Sequence, residues 1–164
     1  MKNIFLIAIF VLSFTAYDAL AATYTVTNTN DDGPGSLRQA VATADSTPEA
    51  DVIVFNIAGC PNGVCTITLT SDGINVNTGG NGGRLSILNP AGPQSLIISG
   101  NNTVTFGNTG TIFYGGGGEL TLEGLTLERA ASAAINLIGA QVNISNSILR
   151  NNLLAISSEE FGIV

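Results

Sequence analysis

Apolar and polar residues alternate in short runs through most of the chain: Tyr24–Thr27, Val52–Ile57, Thr66–Thr70, Ile74–Asn77, Leu85–Leu88, Leu96–Ser99, Val104–Phe106 and Thr111–Tyr114. The pattern continues at Leu120–Leu122, Leu125–Leu127, Ile135–Leu137, Val142–Ile144 and Ser147–Leu149. A period of two places every second side chain on the same face, so each run predicts a strand with one buried face. The runs are β-branched or leucine-rich and are separated by Gly, Asn, Pro or Ser, which predicts an all-β chain of many short strands. Ser36–Ala44 is the exception. It follows Pro34-Gly35 and places Leu37, Ala40, Val41 and Ala44 at helical spacing, predicting one amphipathic helix.

Internal repetition suggests how the strands are arranged. Glu119–Gly124 overlays Gln141–Asn146 at a shift of 22 residues, and Leu125–Leu127 then falls on Ser147–Leu149. Upstream, Ser95–Gly100 overlays Glu119–Gly124 at a shift of 24, and Val104 and Phe106 precede Leu125 and Leu127 by 21. A unit of roughly 22 residues holding three short strands is the length of one turn of a parallel β-solenoid. The predicted interior columns are Leu96, Leu120, Val142; Ile98, Leu122, Ile144; Phe106, Leu127, Leu149; and Val104, Leu125, Ser147. Thr121, Thr126, Glu123 and Asn143 then fall on the solvent side. An antiparallel β-sandwich also shows short strands, but it does not normally repeat a three-strand unit at fixed period.

The first residues obey another pattern. Lys2 is followed by an almost wholly apolar stretch, Ile4–Phe14, and then by Ala19-Leu20-Ala21. This reads as a secretory signal peptide cleaved after Ala21. Three segments follow: 1–21 signal peptide, 22–65 an N-terminal cap module, and 66–164 the repeating turns. The chain has 164 residues with Lys+Arg 5 against Asp+Glu 12, a net charge of −7, no His and no Trp. Loss of the leader removes Lys2 and Asp18, so the charge is unchanged and no lysine remains. Isolated Arg38, Arg84, Arg129 and Arg150 in an acidic chain argue against nucleic acid. Without His there is no imidazole base, triad or ligand, and two Cys alone cannot build a zinc site. Beyond the leader no apolar run approaches the ~20 residues of a spanning helix.

The segment Tyr24–Ile57, YTVTNTNDDGPGSLRQAVATADSTPEADVIVFNI, resembles the N-terminal module of exported bacterial right-handed parallel β-helix proteins. These are the CSLREA-motif group of the pectin-lyase-like superfamily. The motif stands here as Gly35-Ser-Leu-Arg-Gln-Ala40, with Gly in place of Cys and Gln in place of Glu. GLTLERA and NSILRNN look like later turns of the family. The resemblance implies a right-handed β-helix, export, and a secreted or surface role that includes adhesin-like and carbohydrate-associated chains. A helix over Ser36–Ala44 is expected to cover the first turn, whose strand edges would otherwise be open to association.

The candidate sites are few. Cys60 and Cys65 flank the turn signal Pro61-Asn62-Gly63, and in an exported chain they are expected to pair; so small a loop contributes on the order of 2 kcal/mol. Their spacing is not that of a redox motif. Asn28–Gly33 resembles half a calcium loop, but position twelve is Gln39, and a polar turn is expected instead. Asn101–Thr103 and Asn143–Ser145 match the glycosylation acceptor, yet read as turn and strand.

Catalysis by paired carboxylates would need two groups about 5–10 Å apart. Glu119, Glu123 and Glu128 come near one turn, with Arg129 and Arg150 a turn apart, but a surface ion pair accounts for them. No catalytic residue, cofactor or metal ligand is therefore assigned. The expectation is a secreted or surface-exposed, adhesin-like binding scaffold whose extracellular ligand is a glycan or a surface protein, with a carbohydrate-active β-helix enzyme as the alternative. Because strands continue to Leu153–Ile156 with no recognisable second cap unless Glu159, Glu160 and Phe161 form one, the sequence is also expected to be the N-terminal part of a longer protein. Self-association would then occur through Val142, Ile144 and Leu149 at the open turn.

Overall fold

The computed structural model describes residues 21–47, 49–77, 83–101 and 110–157. The expected leader up to Leu20, the run Val104–Phe106, most of the first glycosylation acceptor and the expected terminal cap Glu159–Phe161 lie outside the described residues. Strand β1 (Thr23–Val26) is followed by helix α1 (Leu37–Ala44). Then come β2 (Ala50–Phe55), β3 (Cys65–Thr68), β4 (Ile74–Val76), β5 (Arg84–Leu88), β6 (Leu96–Ser99) and β7 (Phe113–Gly116). The remainder are β8 (Glu119–Glu123), β9 (Thr126–Glu128), β10 (Ala133–Ile138), β11 (Gln141–Ser145), β12 (Ile148–Arg150) and β13 (Leu154–Ser157).

These strands form three sheets in which every pairing is parallel. The first sheet has the order β1-β2-β5-β8-β11, the second β12-β9-β6-β3 and the third β13-β10-β7-β4. From β2 onward the chain visits the first, second and third sheets in turn and then starts again, completing four circuits among the described residues. That path is compatible with the coil expected from the repeat and excludes an antiparallel sandwich.

The core runs between the sheets as stacked like residues. Ile53, Ile87 and Leu122 are superposed in the first sheet and fully buried, with Ile144 next in line. In the second, Ile67, Ile98 and Leu127 are fully buried, and Leu149 follows. In the third, Ile74, Phe113 and Ile135 are superposed and buried. Parallel sheets require this covering of the core face, and it is the main stabilising contribution here.

The shift of 22 between the last two circuits stands, with Leu120 over Val142, Leu122 over Ile144 and Leu127 over Leu149. The upstream shift of 24 does not. Leu120 and Leu122 pair with Leu85 and Ile87, not with Leu96 and Ile98, and Ile98 lies in register with Leu127. The circuits are unequal. Successive circuits are bridged by Asn89–Gly124, 35 residues apart, and by Leu125–Ser147, 22 apart. The extra residues sit in longer connections, such as the one joining β5 to β6. The alternation of every strand looks alike, so a constant period assigned β6 to the wrong sheet.

Thr126 is a second correction. It was expected to meet solvent but is 2% exposed, because the connection after β5 folds over it and Pro93 O accepts its hydroxyl proton at 2.7 Å. Replacing Leu127 by Ala should cost about 2–5 kcal/mol, from the lost transfer free energy and the cavity left between two flanking circuits. Urea unfolding checks this, with Thr121→Ala on the outer face as a control expected to stay within about 0.5 kcal/mol.

Candidate functional site

Among the described residues the densest polar network lies in the expected cap module, and it grows from the six-residue motif. Ser36 is the N-cap of α1 and its Oγ accepts from Gln39 N at 3.2 Å. Leu37, Ala40, Val41 and Ala44 are buried on one face, as the spacing predicts. Gly35 has φ +79°, and a Cβ there would lie 2.3 Å from Thr27 Oγ1. A side chain would be both strained and crowded here, so glycine suits the position.

Arg38 leaves the helix to form a clamp. Its Nη2 meets Asp31 Oδ1 at 2.7 Å and also the Asp72 carbonyl, its Nη1 donates to Gly73 O at 2.6 Å, and its Nε donates to Asp31 O at 3.2 Å. Asp31 Oδ2 in turn accepts from both the backbone N–H and the hydroxyl of Thr70 and of Ser71, at 2.6–3.0 Å. One carboxylate thus joins the loop before α1 to the corner after β3. Burial raises the Asp31 pKa, but hydrogen bonds from Arg38 and Ser71 and the Arg38 charge outweigh it, leaving the carboxyl at about 2.

Two further aspartates hold backbone at the same end. Asp45 Oδ2 accepts from Asn77 N at 2.8 Å; burial raises its pKa and the Asn77 hydrogen bond opposes the rise. Asp51 is 2% exposed and stands in the inward column continued by Leu85, Leu120 and Val142. Its two oxygens accept from Ala22 N at 2.8 Å and from the Thr47 hydroxyl at 2.6 Å. Sequence reasoning missed Asp31, Asp45 and Asp51. Asp31 meets partners 39 and 40 positions away, and no local pattern signals such a contact.

Cys60 and Cys65 stand at disulfide distance with Cα atoms 4.8 Å apart, across a tight turn at Pro61–Gly63. The turn joins β2 to β3 and separates two grooves. One, of about 590 Å³, runs between Thr27–Asn30 and the segments Ile57–Pro61 and Val64–Thr66. The other, of about 360 Å³, is lined by Phe55, Ile57, Asn89 and Leu96 among others. A third hollow, of about 350 Å³, lies between Arg38, Asp72, Asn75 and Tyr114.

The carboxylates considered for catalysis are held apart. Glu119 begins β8 in the first sheet, where its Oε2 lies 3.1 Å from Arg84 Nε and its Oε1 accepts from Asn143 Nδ2 at 2.6 Å. Glu128 ends β9 in the second sheet and meets Arg150 Nε at 2.8 Å. Glu123 is exposed at the far end of β8. Arg150 stands over Glu128, not over Arg129, which correlates the cation with the carboxylate one circuit below. The calcium-like segment is a turn: Asn28 Oδ1 accepts from Asn30 N at 3.0 Å, its Nδ2 donates to Pro34 O at 2.8 Å, and Asp32 Oδ1 accepts from Gly33 N at 2.7 Å. Among the described residues no three His, Cys, Asp or Glu side chains are grouped to hold a metal ion, and no helix is long and apolar enough to cross a membrane.

No protein-family model matches the chain, and no curated protein matches it in sequence.

The clamp gives a pH dependence with a definite sign. The folded pKa of Asp31 is depressed from 3.8 to about 2, so its contribution is present above the unfolded pKa and is lost as pH falls through the folded one. Asp45, with a raised folded pKa, acts in the opposite sense, its contribution being present below the unfolded value and lost as pH rises. Between about pH 5 and pH 2 the wild type should lose about 1–2 kcal/mol more than Asp31→Asn, allowing for partial screening. Urea midpoints measured against pH check this, and Asp45→Asn should leave that difference in place.

Proposed function

We propose that the chain is an exported, right-handed parallel β-helix that serves as an extracellular or cell-surface binding scaffold for a glycan or a surface protein. The observation that carries this reading is where the acidic groups are spent. Asp31, Asp45 and Asp51 hold backbone N–H groups at the strand ends, while Glu119 and Glu128 are tied to arginines on different sheets. A glycosidase or lyase would instead aim two such groups into one groove. The three parallel sheets visited in rotation support the β-helix, and the Cys60–Cys65 pair at disulfide distance supports an oxidising compartment.

Two measurements test the reading. The secreted protein should begin at Ala22 or Thr23 on N-terminal sequencing, and non-reduced peptide mapping should find Cys60 linked to Cys65; a mature chain that keeps Lys2, or one alkylated at both Cys without reductant, would contradict export. A glycan array paired with a reducing-end cleavage assay addresses activity. Binding without cleavage is expected, and turnover abolished by Glu119→Gln or Glu128→Gln would replace the scaffold by an enzyme.

A further inference from the structure

The second sheet begins one strand late. The first sheet starts with β1, laid on β2, and the third is covered at β4 by packing of α1. In the second, β3 pairs with β6 on one side and, among the described residues, with no strand on the other. After Val26 the chain does not continue into this sheet. It loops through Thr27–Gly35, closing on itself where Thr27 N and Asn28 N donate to Gly35 O, and enters α1. The groove of about 590 Å³ lies at this place, with Thr27–Asn30 on one wall and Cys65 and Thr66 on the other.

The hydrogen-bond parity of β3 shows what faces the opening. Cys65 N donates to Ser95 O and Leu69 N to Ser99 O, both on the β6 side. Parallel strands alternate, so Thr66 and Thr68 turn their N–H and C=O groups to the free edge. The next outward residue, Thr70, confirms the parity because its N–H is taken by Asp31. Thr66 and Thr68 have no such partner among the described residues. They offer donor and acceptor pairs about 6.8 Å apart, the two-residue repeat of an extended peptide.

We propose that this groove binds an extended, uncharged peptide segment of a partner protein, which adds to the second sheet beside β3 by pairing with Thr66 and Thr68. The inference rests on the reading of the chain as an exported binding scaffold and selects a protein over a glycan at this position. The lining residues carry no charge, which disfavours acidic or basic segments on desolvation grounds. None is aromatic, so there is no face on which a sugar ring could stack. What remains is backbone recognition, with Asn30 and Thr66 at the walls to receive polar side chains.

The test uses the exported chain and a dye-labelled, end-capped peptide of the β1 sequence, Thr-Tyr-Thr-Val-Thr, at up to about 1 mM, the range expected for short strand addition. Saturable anisotropy with slowed amide exchange at Thr66 and Thr68 is expected. Thr66→Pro removes an edge-facing N–H without breaking the β6 ladder and should weaken binding at least about tenfold. Ala58→Trp, which fills the groove and leaves β3 unaltered, should do the same and serves if the proline variant does not fold. Binding that neither variant changes, or no protection at Thr66 and Thr68, overturns the proposal. Self-association of the chain abolished by Ala58→Trp overturns the choice of occupant in favour of a second copy, and saturable protection by neutral oligosaccharides overturns it in favour of a glycan. None of these outcomes depends on where the signal is cleaved, so failure here is distinguishable from failure of export.

Discussion

A stack of parallel strands has to end somewhere, and at its end a row of backbone N–H and C=O groups loses its partners. Burying or exposing such a row without compensation costs stability and invites edge-to-edge association. At the N-terminal end of this protein each sheet meets the constraint differently. The first sheet presents the short β1, anchored where Asp51 accepts from Ala22 N. The third is covered by α1, with Asp45 accepting from Asn77 N just beyond β4. Among the described residues the second receives a loop and no strand, and Asp31 takes the outward N–H of Thr70 and the N–H of Ser71. Carboxylates suit the task because each oxygen accepts several hydrogen bonds and charge-assisted ones are the stronger.

The six-residue motif can be understood from that constraint. Gly35 supplies the left-handed turn out of the loop, Ser36 caps the helix, Leu37 and Ala40 bury its inner face, and Arg38 balances the charge that Asp31 brings to the edge. An isolated exposed ion pair would contribute little. Here the two side chains are only 19% and 12% exposed, and between them they bind three carbonyls and two backbone N–H groups. Removing either would leave the other partly buried without its countercharge, so the motif acts as a unit.

Much of the architecture was legible because alternation is a local signal. The strand runs, the helix with its four buried residues, and the pairing of Glu119–Glu128 with Gln141–Arg150 follow from patterns within a few residues or from an unbroken 22-residue shift. The placement of Leu96 and Ile98 was not legible, since it depends on the length of connections and not on the strands themselves. Thr126 was misread for a related reason: strand parity assigns it to the outer face correctly, but the β5–β6 connection returns to cover that face. Asp51 shows the limit of hydropathy. At the end of the stack an inward carboxylate finds two donors, whereas the same column one circuit later demands Leu85.

The corners explain how circuits of unequal length keep one register. Strand ladders thin at each bend, and side chains there join the remaining backbone bonds between circuits, such as Asn89 N to Glu123 O and Ile148 N to Leu125 O. Asn89 is 5% exposed, and its Nδ2 reaches Gly92 O, Ser95 Oγ and Gly124 O, so it both closes its own connection and grips the next circuit. Gly124, at φ +71°, could not carry a Cβ, which would lie 2.0 Å from Asn89 O. One circuit later Ser147 Oγ accepts from Leu125 N, and at the following bend Asn152 accepts from Ala130 N and donates to Leu127 O. These amides and hydroxyls do at the bends what the backbone does along the strands. A connection can therefore lengthen outward, as between β5 and β6, while the residues at its two ends stay locked to the circuits beside them. The asparagines, serines and glycines that make the composition look like that of a loop-rich chain are the groups that keep the stack in register.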